Sequence, residues 1–153
     1  MKARMDYIKA SPGAYKAMSG LEAYMAESGL EPLLIELVKM RASQINGCAY
    51  CIDMHSLDAR AQGETEQRLY ALSAWSETPF FSERERAALL WTEKLTLISL
   101  DHVPDEVYEQ VQPHFTDKEL ADLTLLVATI NAWNRFAISF RSVPGQYKSR
   151  KHK

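Results

Sequence analysis

Both cysteines of the 153-residue chain fall within four consecutive positions, Cys48-Ala49-Tyr50-Cys51, and His55 follows one helical turn later. At about 100° per residue, a helix would carry Cys48, Cys51 and His55 on one face, within about 60° of each other. Two thiols three residues apart can reach disulfide distance, and a helix N-terminus stabilises a thiolate through its free N–H groups. An imidazole on the same face can take or return a proton near neutral pH. Such a pair is either a redox dithiol or half of a metal site. A structural zinc site needs four ligands, and nothing in the sequence fixes His102 or His114 beside the cysteines, so no metal is expected. Nor is a pair of inert buried cysteines, because of Glu36. That residue lies among Leu33, Leu37 and Met40, on the apolar stripe of its own helix. A carboxylate buried there needs a partner, a raised proton affinity, or both, and is then suited to collect a thiol proton. Helix electrostatics alone favour Cys48 as the more acidic thiol, whereas the spacing to His55 favours Cys51.

The elements that must hold these groups are helices. Ser11-Pro12-Gly13 opens one, which carries Ala14, Met18, Leu21 and Met25 and stops at Ser28-Gly29. Pro32 opens the helix of Glu36, which ends near Asn46-Gly47. The helix of the cysteines starts around Cys48 and reaches Gln62, with Gly63 as its stop, and Thr65 caps a short fourth. Ser82-x-x-Glu85 and Thr116-x-x-Glu119 are capping boxes. The first precedes a helix with Ala87, Leu90, Trp91, Leu95 and Ile98. The second starts the longest stripe, Leu120, Leu123, Val127 and Ile130. A short helix from Pro104 through Val111 lies between them. No stretch alternates with period two, so an all-α domain of about seven helices is expected, with the first six residues extended.

A 46% hydrophobic and 25% charged composition with a net charge of -2 fits a single soluble globular domain over residues 1–153 and excludes a strongly basic nucleic-acid binder. No run of 18 apolar residues suggests a membrane span, and Met1 to Ala10 has no apolar core of a signal peptide, so the cytoplasm is the expected compartment. Residues 141–153 are basic without an acidic residue and are expected to form a flexible tail. Asn131, Asn134 and Arg135 are read as pinning a helix–helix or subunit contact, with the wall of a thiol pocket as the alternative. Trp75, Trp91 and Trp133 are expected as core or interface anchors, Phe80 and Phe81 as a cover for a neighbouring subunit, and His102 at the surface or an interface. Met18, Met25, Met40 and Met54 read as packing.

Glu36, eleven intervening residues, Cys48-x-x-Cys51, and His55 after three more resemble the signature of the AhpD-like alkylhydroperoxidases, within the carboxymuconolactone decarboxylase superfamily. The likeness extends to the Ser82–Ile98 helix and to Asn131-Ala132-Trp133-Asn134-Arg135. The resemblance implies an all-helical fold assembled into homotrimers or homohexamers. It implies a peroxidase that reduces hydrogen peroxide or small organic hydroperoxides without a cofactor. In that reading Cys51 is peroxidatic, Cys48 resolving, and Glu36 and His55 relay protons. An external dithiol, a thioredoxin-like protein or a lipoyl group, restores the pair. One position departs: the best-studied type has a histidine immediately before the second cysteine, where this chain has Tyr50, so Tyr50 enters the site only tentatively. Tyrosine in general, with an ordinary pKa near 10, is a poor shuttle at pH 7, although its hydroxyl can hold a water or the glutamate. The alternatives are an oxidoreductase acting on protein or small-molecule disulfides, and a non-enzymatic oligomer whose assembly responds to redox state.

Overall fold

The computed structural model describes residues 1–149 and is all-helical throughout them. In chain order the helices are α1 (Tyr7–Ala10), α2 (Pro12–Glu27), α3 (Pro32–Asn46), α4 (Ala49–Ala61), α5 (Glu66–Ala71), α6 (Glu83–Thr96), α7 (Ile98–Asp101), α8 (Asp105–Val111) and α9 (Asp117–Phe140). Short 3₁₀ turns follow α5 and α8. The seven helices expected from capping and periodicity are all present, with α1 and α7 added. A four-residue helix is too short to display an apolar period, so those two left no pattern to read.

Local chemistry sets the boundaries. Both capping boxes form: Ser82 Oγ accepts from the Glu85 amide and Thr116 Oγ1 from that of Glu119, while each glutamate accepts from the cap's own N–H. Pro12 and Pro32 occupy first-turn positions, where a missing N–H costs nothing. The last helix ends at Phe140, before Pro144, because Arg141 adopts a left-handed conformation with φ 56°.

At the centre lies α3, packed against α4, α6 and α9. Its burial is nearly all-round, with Leu34, Leu37, Val38 and Met40 inside. Two apolar clusters meet on it. Met25, Leu34, Val38, Trp91, Leu123 and Val127 join α2, α3, α6 and α9. Leu37, Met40, Ala59, Leu69, Leu72, Phe81 and Leu89 join α3 to α4, α5 and α6. Phe81 is thus a core residue beneath the Arg68 guanidinium, 4.7 Å from its ring, and not a cover for a neighbour.

The joint between α3 and α4 fixes the relative placement of Glu36 and the cysteines. Gly47 has φ 68°, a left-handed conformation that only glycine adopts without steric cost. The Gly47 amide donates to the Gln44 carbonyl at 3.2 Å and the Cys48 amide to that of Ser43 at 2.9 Å. This pair of bonds is the Schellman closure of a helix end. Beside it, Asn46 Nδ2 donates to Asn131 Oδ1 at 3.0 Å and Asn134 Oδ1 at 2.8 Å. Asn134 Nδ2 in turn donates to Ser43 Oγ at 3.0 Å. The two asparagines therefore pin α9 to the end of α3.

The segment expected as a basic tail is described as far as Ser149, and its last four residues lie outside the described part. Up to that point it runs back along α4: the Gly145 amide donates to Asp53 Oδ2 at 2.8 Å, and Tyr147 and Ser149 reach Asp58. No helix among the described residues is long and apolar enough to cross a membrane.

Candidate functional site

Cys48 is the N-cap of α4, and its Sγ accepts from the Cys51 amide at 3.4 Å. Cys51 lies in the first turn, where amides still lack intrahelical partners. The two sulfurs are joined in a disulfide, with 5.3 Å between the Cα atoms, and both residues are buried against Ala137 of α9.

One turn along α4, His55 Nδ1 lies 2.8 Å from Glu36 Oε2. Glu36 is 1% exposed, so the buried carboxylate on the α3 stripe has the partner its position required. Gln62 Nε2 donates to its other oxygen, Oε1, at 3.4 Å. A further turn beyond His55 comes Asp58, also buried. Single ligand atoms of Glu36, His55 and Asp58 lie within 4.8 Å of one another, a grouping that could hold a metal. Their oxygens already face protein donors, however: His55 and Gln62 at Glu36, the Tyr147 hydroxyl at both oxygens of Asp58. The donor set is that of a hydrogen-bonded proton network.

A cavity of about 330 Å³ opens onto Cys51, Glu36, His55 and Asp58. Tyr7, Tyr15, Met54, Ile130 and Trp133 form its apolar wall, and Tyr50 lines it as well. At its rim Lys39 Nζ and Glu22 Oε2 pair at 2.5 Å, and Trp133 Nε1 donates to Glu22 Oε1 at 2.9 Å. A smaller groove of about 170 Å³ reaches Cys48 from the other side, between Tyr50, Arg141 and Pro144. Tyr50 thus stands between the two openings. Burial raises the Tyr7 phenol above its ordinary range, which marks this wall as poorly hydrated.

Cys48, Cys51, His55, Glu36 and Tyr50 all come together here. Asn131, Asn134 and Arg135 do not line the cavity. Trp75 and Trp91 are buried and tied by their Nε1 to Glu93 and Thr124, but Trp133 is a wall of the cavity. Met54 likewise faces this space, and is not packing alone. His102 is exposed before α8, and His114 follows it, both apart from the cysteines. Asp58, Tyr147 and the Lys39–Glu22 pair escaped the sequence reading. Asp58 carried one legible signal, its place one turn after His55.

A buried Cys-x-x-Cys disulfide at a helix N-terminus, with a Glu–His pair one turn away in an all-helical domain, defines an AhpD-like redox protein. The chain belongs to the carboxymuconolactone decarboxylase family, whose model matches residues 12–94. It is 46% identical over 139 residues to the uncharacterized protein YdfG of Bacillus subtilis, covering 91% of this chain and 95% of that one. YnjA of Escherichia coli, also uncharacterized, is 30% identical over 119 residues, which span 78% of this chain and 64% of its own. Among solved structures, a protein of unknown function from Agrobacterium tumefaciens, suggested to be an antioxidant defence protein of the AhpD type, superimposes with a TM-score of 0.92 at 44% identity. That match covers 95% of this chain and 100% of the other. An AhpD-core protein from Ralstonia eutropha shares the fold at 22% identity, with a TM-score of 0.80 over 92% of this chain and 75% of its own.

Proposed function

We propose that the protein is an alkylhydroperoxidase-type thiol peroxidase that reduces hydrogen peroxide or small organic hydroperoxides in antioxidant defence. The observation that carries this reading is the Cys48–Cys51 disulfide opening onto a cavity that also holds the Glu36–His55 pair. In the reduced protein, Glu36 and His55 accept the Cys51 proton. The thiolate attacks the terminal oxygen of the hydroperoxide, the O–O bond breaks, and water or an alcohol leaves with a proton returned through the same pair. Cys51 is then a sulfenic acid. Cys48 condenses with it, releasing water and forming the disulfide. An external dithiol, a thioredoxin-like protein or a lipoyl group, returns two electrons and two protons by exchange.

The assignment of Cys51 as peroxidatic is supported by the larger cavity, which reaches Cys51 and not Cys48. The Cys51 amide, directed at the Cys48 sulfur, suits a resolving thiol that must be partly ionised to attack. Tyr50 serves as a wall between the two sulfurs' openings and not as a proton carrier. We place the protein in the cytoplasm, where dithiol reductants keep such pairs cycling, and as a homotrimer or homohexamer.

Thiol titration of the reduced protein during stoichiometric addition of hydrogen peroxide or cumene hydroperoxide tests the reading. The expected result is loss of two thiols and two mass units per peroxide consumed. C48S should accumulate a dimedone-reactive sulfenate and C51S should not; the reverse pattern exchanges the two roles. No reaction, with both thiols still titratable, would turn the function toward disulfide exchange.

A further inference from the structure

The Glu36–His55 pair is not the end of the buried polar chain. Asp58 lies on the same face of α4, with its carboxylate within 4.8 Å of the ligand atoms of both. It is fixed there by a part of the chain with no other role in the site. Tyr147 Oη lies 3.0 Å from each Asp58 oxygen, and Ser149 Oγ donates to Oδ1 at 2.5 Å. The Gly145 amide secures the same segment to Asp53, one turn before the cysteine–histidine face ends. Burial, then the Asp58 carboxylate, pushes the Tyr147 phenol up to about 12, so it is a hydrogen-bond donor at any physiological pH.

We propose that Asp58 is a positioning residue for His55, and that the Tyr147 hydroxyl tempers the charge its carboxylate presents to the imidazole. The proposal rests on the reading of His55 as a proton carrier for Cys51. A fixed negative charge at this distance favours the imidazolium form that returns a proton to the leaving alcohol. Among the described residues, the other charged or titratable groups facing this cavity are Glu36 and Lys39 from α3, Glu22 and Tyr15 from α2, Tyr7 from α1, and Tyr50 and the disulfide-bonded Cys51 on α4 itself. Among the described residues lining the cavity, Lys39 is the cationic one, and it is paired with Glu22. Tyr147 moderates the Asp58 carboxylate: its O–H draws on both oxygens and withdraws part of their charge.

The two contributions have opposite signs, and this makes them testable. NMR titration of the His55 imidazole in the oxidised full chain, its signal assigned by its loss in H55Q, reads them without any substrate. D58N should move the His55 midpoint down by about one pH unit, since a neighbouring charge that favours imidazolium is gone. Y147F should move it up by about a few tenths, since the carboxylate, still held by Ser149, keeps more of its charge. A purely structural role would loosen both variants and move them the same way. An unmoved midpoint in D58N, or shifts of one sign in both, overturns the proposal. If D58N does not fold, Y147F decides alone, and an unmoved or lowered midpoint overturns it. Peroxide-driven disulfide closure in the wild type is a separate readout. Its absence would sink the peroxidase reading and leave the titration result standing.

Discussion

Glu36 is shielded from solvent, with His55 at one carboxylate oxygen and Gln62 at the other. In the proposed mechanism this burial suits Glu36 to act as a base, since a proton from Cys51 would pass into a network already oriented to receive it. E36Q keeps the volume and the hydrogen-bonding reach but removes the proton acceptor. We expect stopped-flow disulfide closure by hydroperoxide to slow about a hundredfold, within the range of a lost general base. Far-UV dichroism should remain unchanged, and a rate within twofold of wild type would remove Glu36 from the relay. The cysteines, His55 and Glu36 were legible because each is placed by helical spacing on its own segment. Tyr147 was not, since it meets Asp58 across 89 positions of sequence. The Lys39–Glu22 pair joins two helices and was equally hidden. An ion pair in sequence is only two charges; which face of which helix meets which is a property of the fold.

At the scale of elements, capping residues carried most of the information. Ser82, Thr116, Pro12 and Pro32 mark helix starts through local bonds and fixed φ angles, and such devices survive any tertiary arrangement. What they leave unspecified is how helices meet, and here long-range side chains take over. Arg84 is the clearest case. From α6 it pairs with Glu31 at 2.7 Å and Glu119 at 2.8 Å, donates to the His114 carbonyl, and lies 4.3 Å from the Phe115 ring centroid. It thereby ties the start of α3 to the start of α9. The Arg84 hydrogen bond lowers the Glu31 carboxyl below its ordinary 4.5, and the Thr116 amide, then Arg84, does the same for Glu119. Groups lowered on folding contribute stability above the unfolded value and lose it as pH falls through the folded one. R84A should therefore cost about 1 kcal/mol near pH 7, discounted for solvent screening. Urea titrations of wild type and R84A should converge as the pH falls below the ordinary glutamate range and through the lowered folded values, where both carboxylates protonate. A difference that persists unchanged in acid would mean the guanidinium acts through Phe115 packing alone.

For the whole molecule, the two apolar clusters account for the interior but leave one end of it uncovered. Leu97, Ile98 and Leu100 sit at the turn from α6 into α7 and are exposed, Leu100 at 74%, with the half-exposed Tyr108 of α8 also outside. Scattered surface leucines need no explanation, but three large apolar side chains within four residues form a patch. The active-site cavity lies among α1, α2, α3, α4 and α9, so this patch is not part of the redox chemistry. If the trimer or hexamer proposed above assembles through this patch, the patch is a contact between copies of the chain. Replacing Leu100 by glutamate places a charge where such a contact would exclude water, at a cost that an uncovered surface would not incur. Sedimentation velocity should give a trimer or hexamer for wild type and a smaller species for L100E, with peroxide stoichiometry preserved in both because Leu100 touches neither cysteine nor relay. If wild type sediments as a monomer, or if L100E assembles as wild type does, the α7 patch is not an interface between copies.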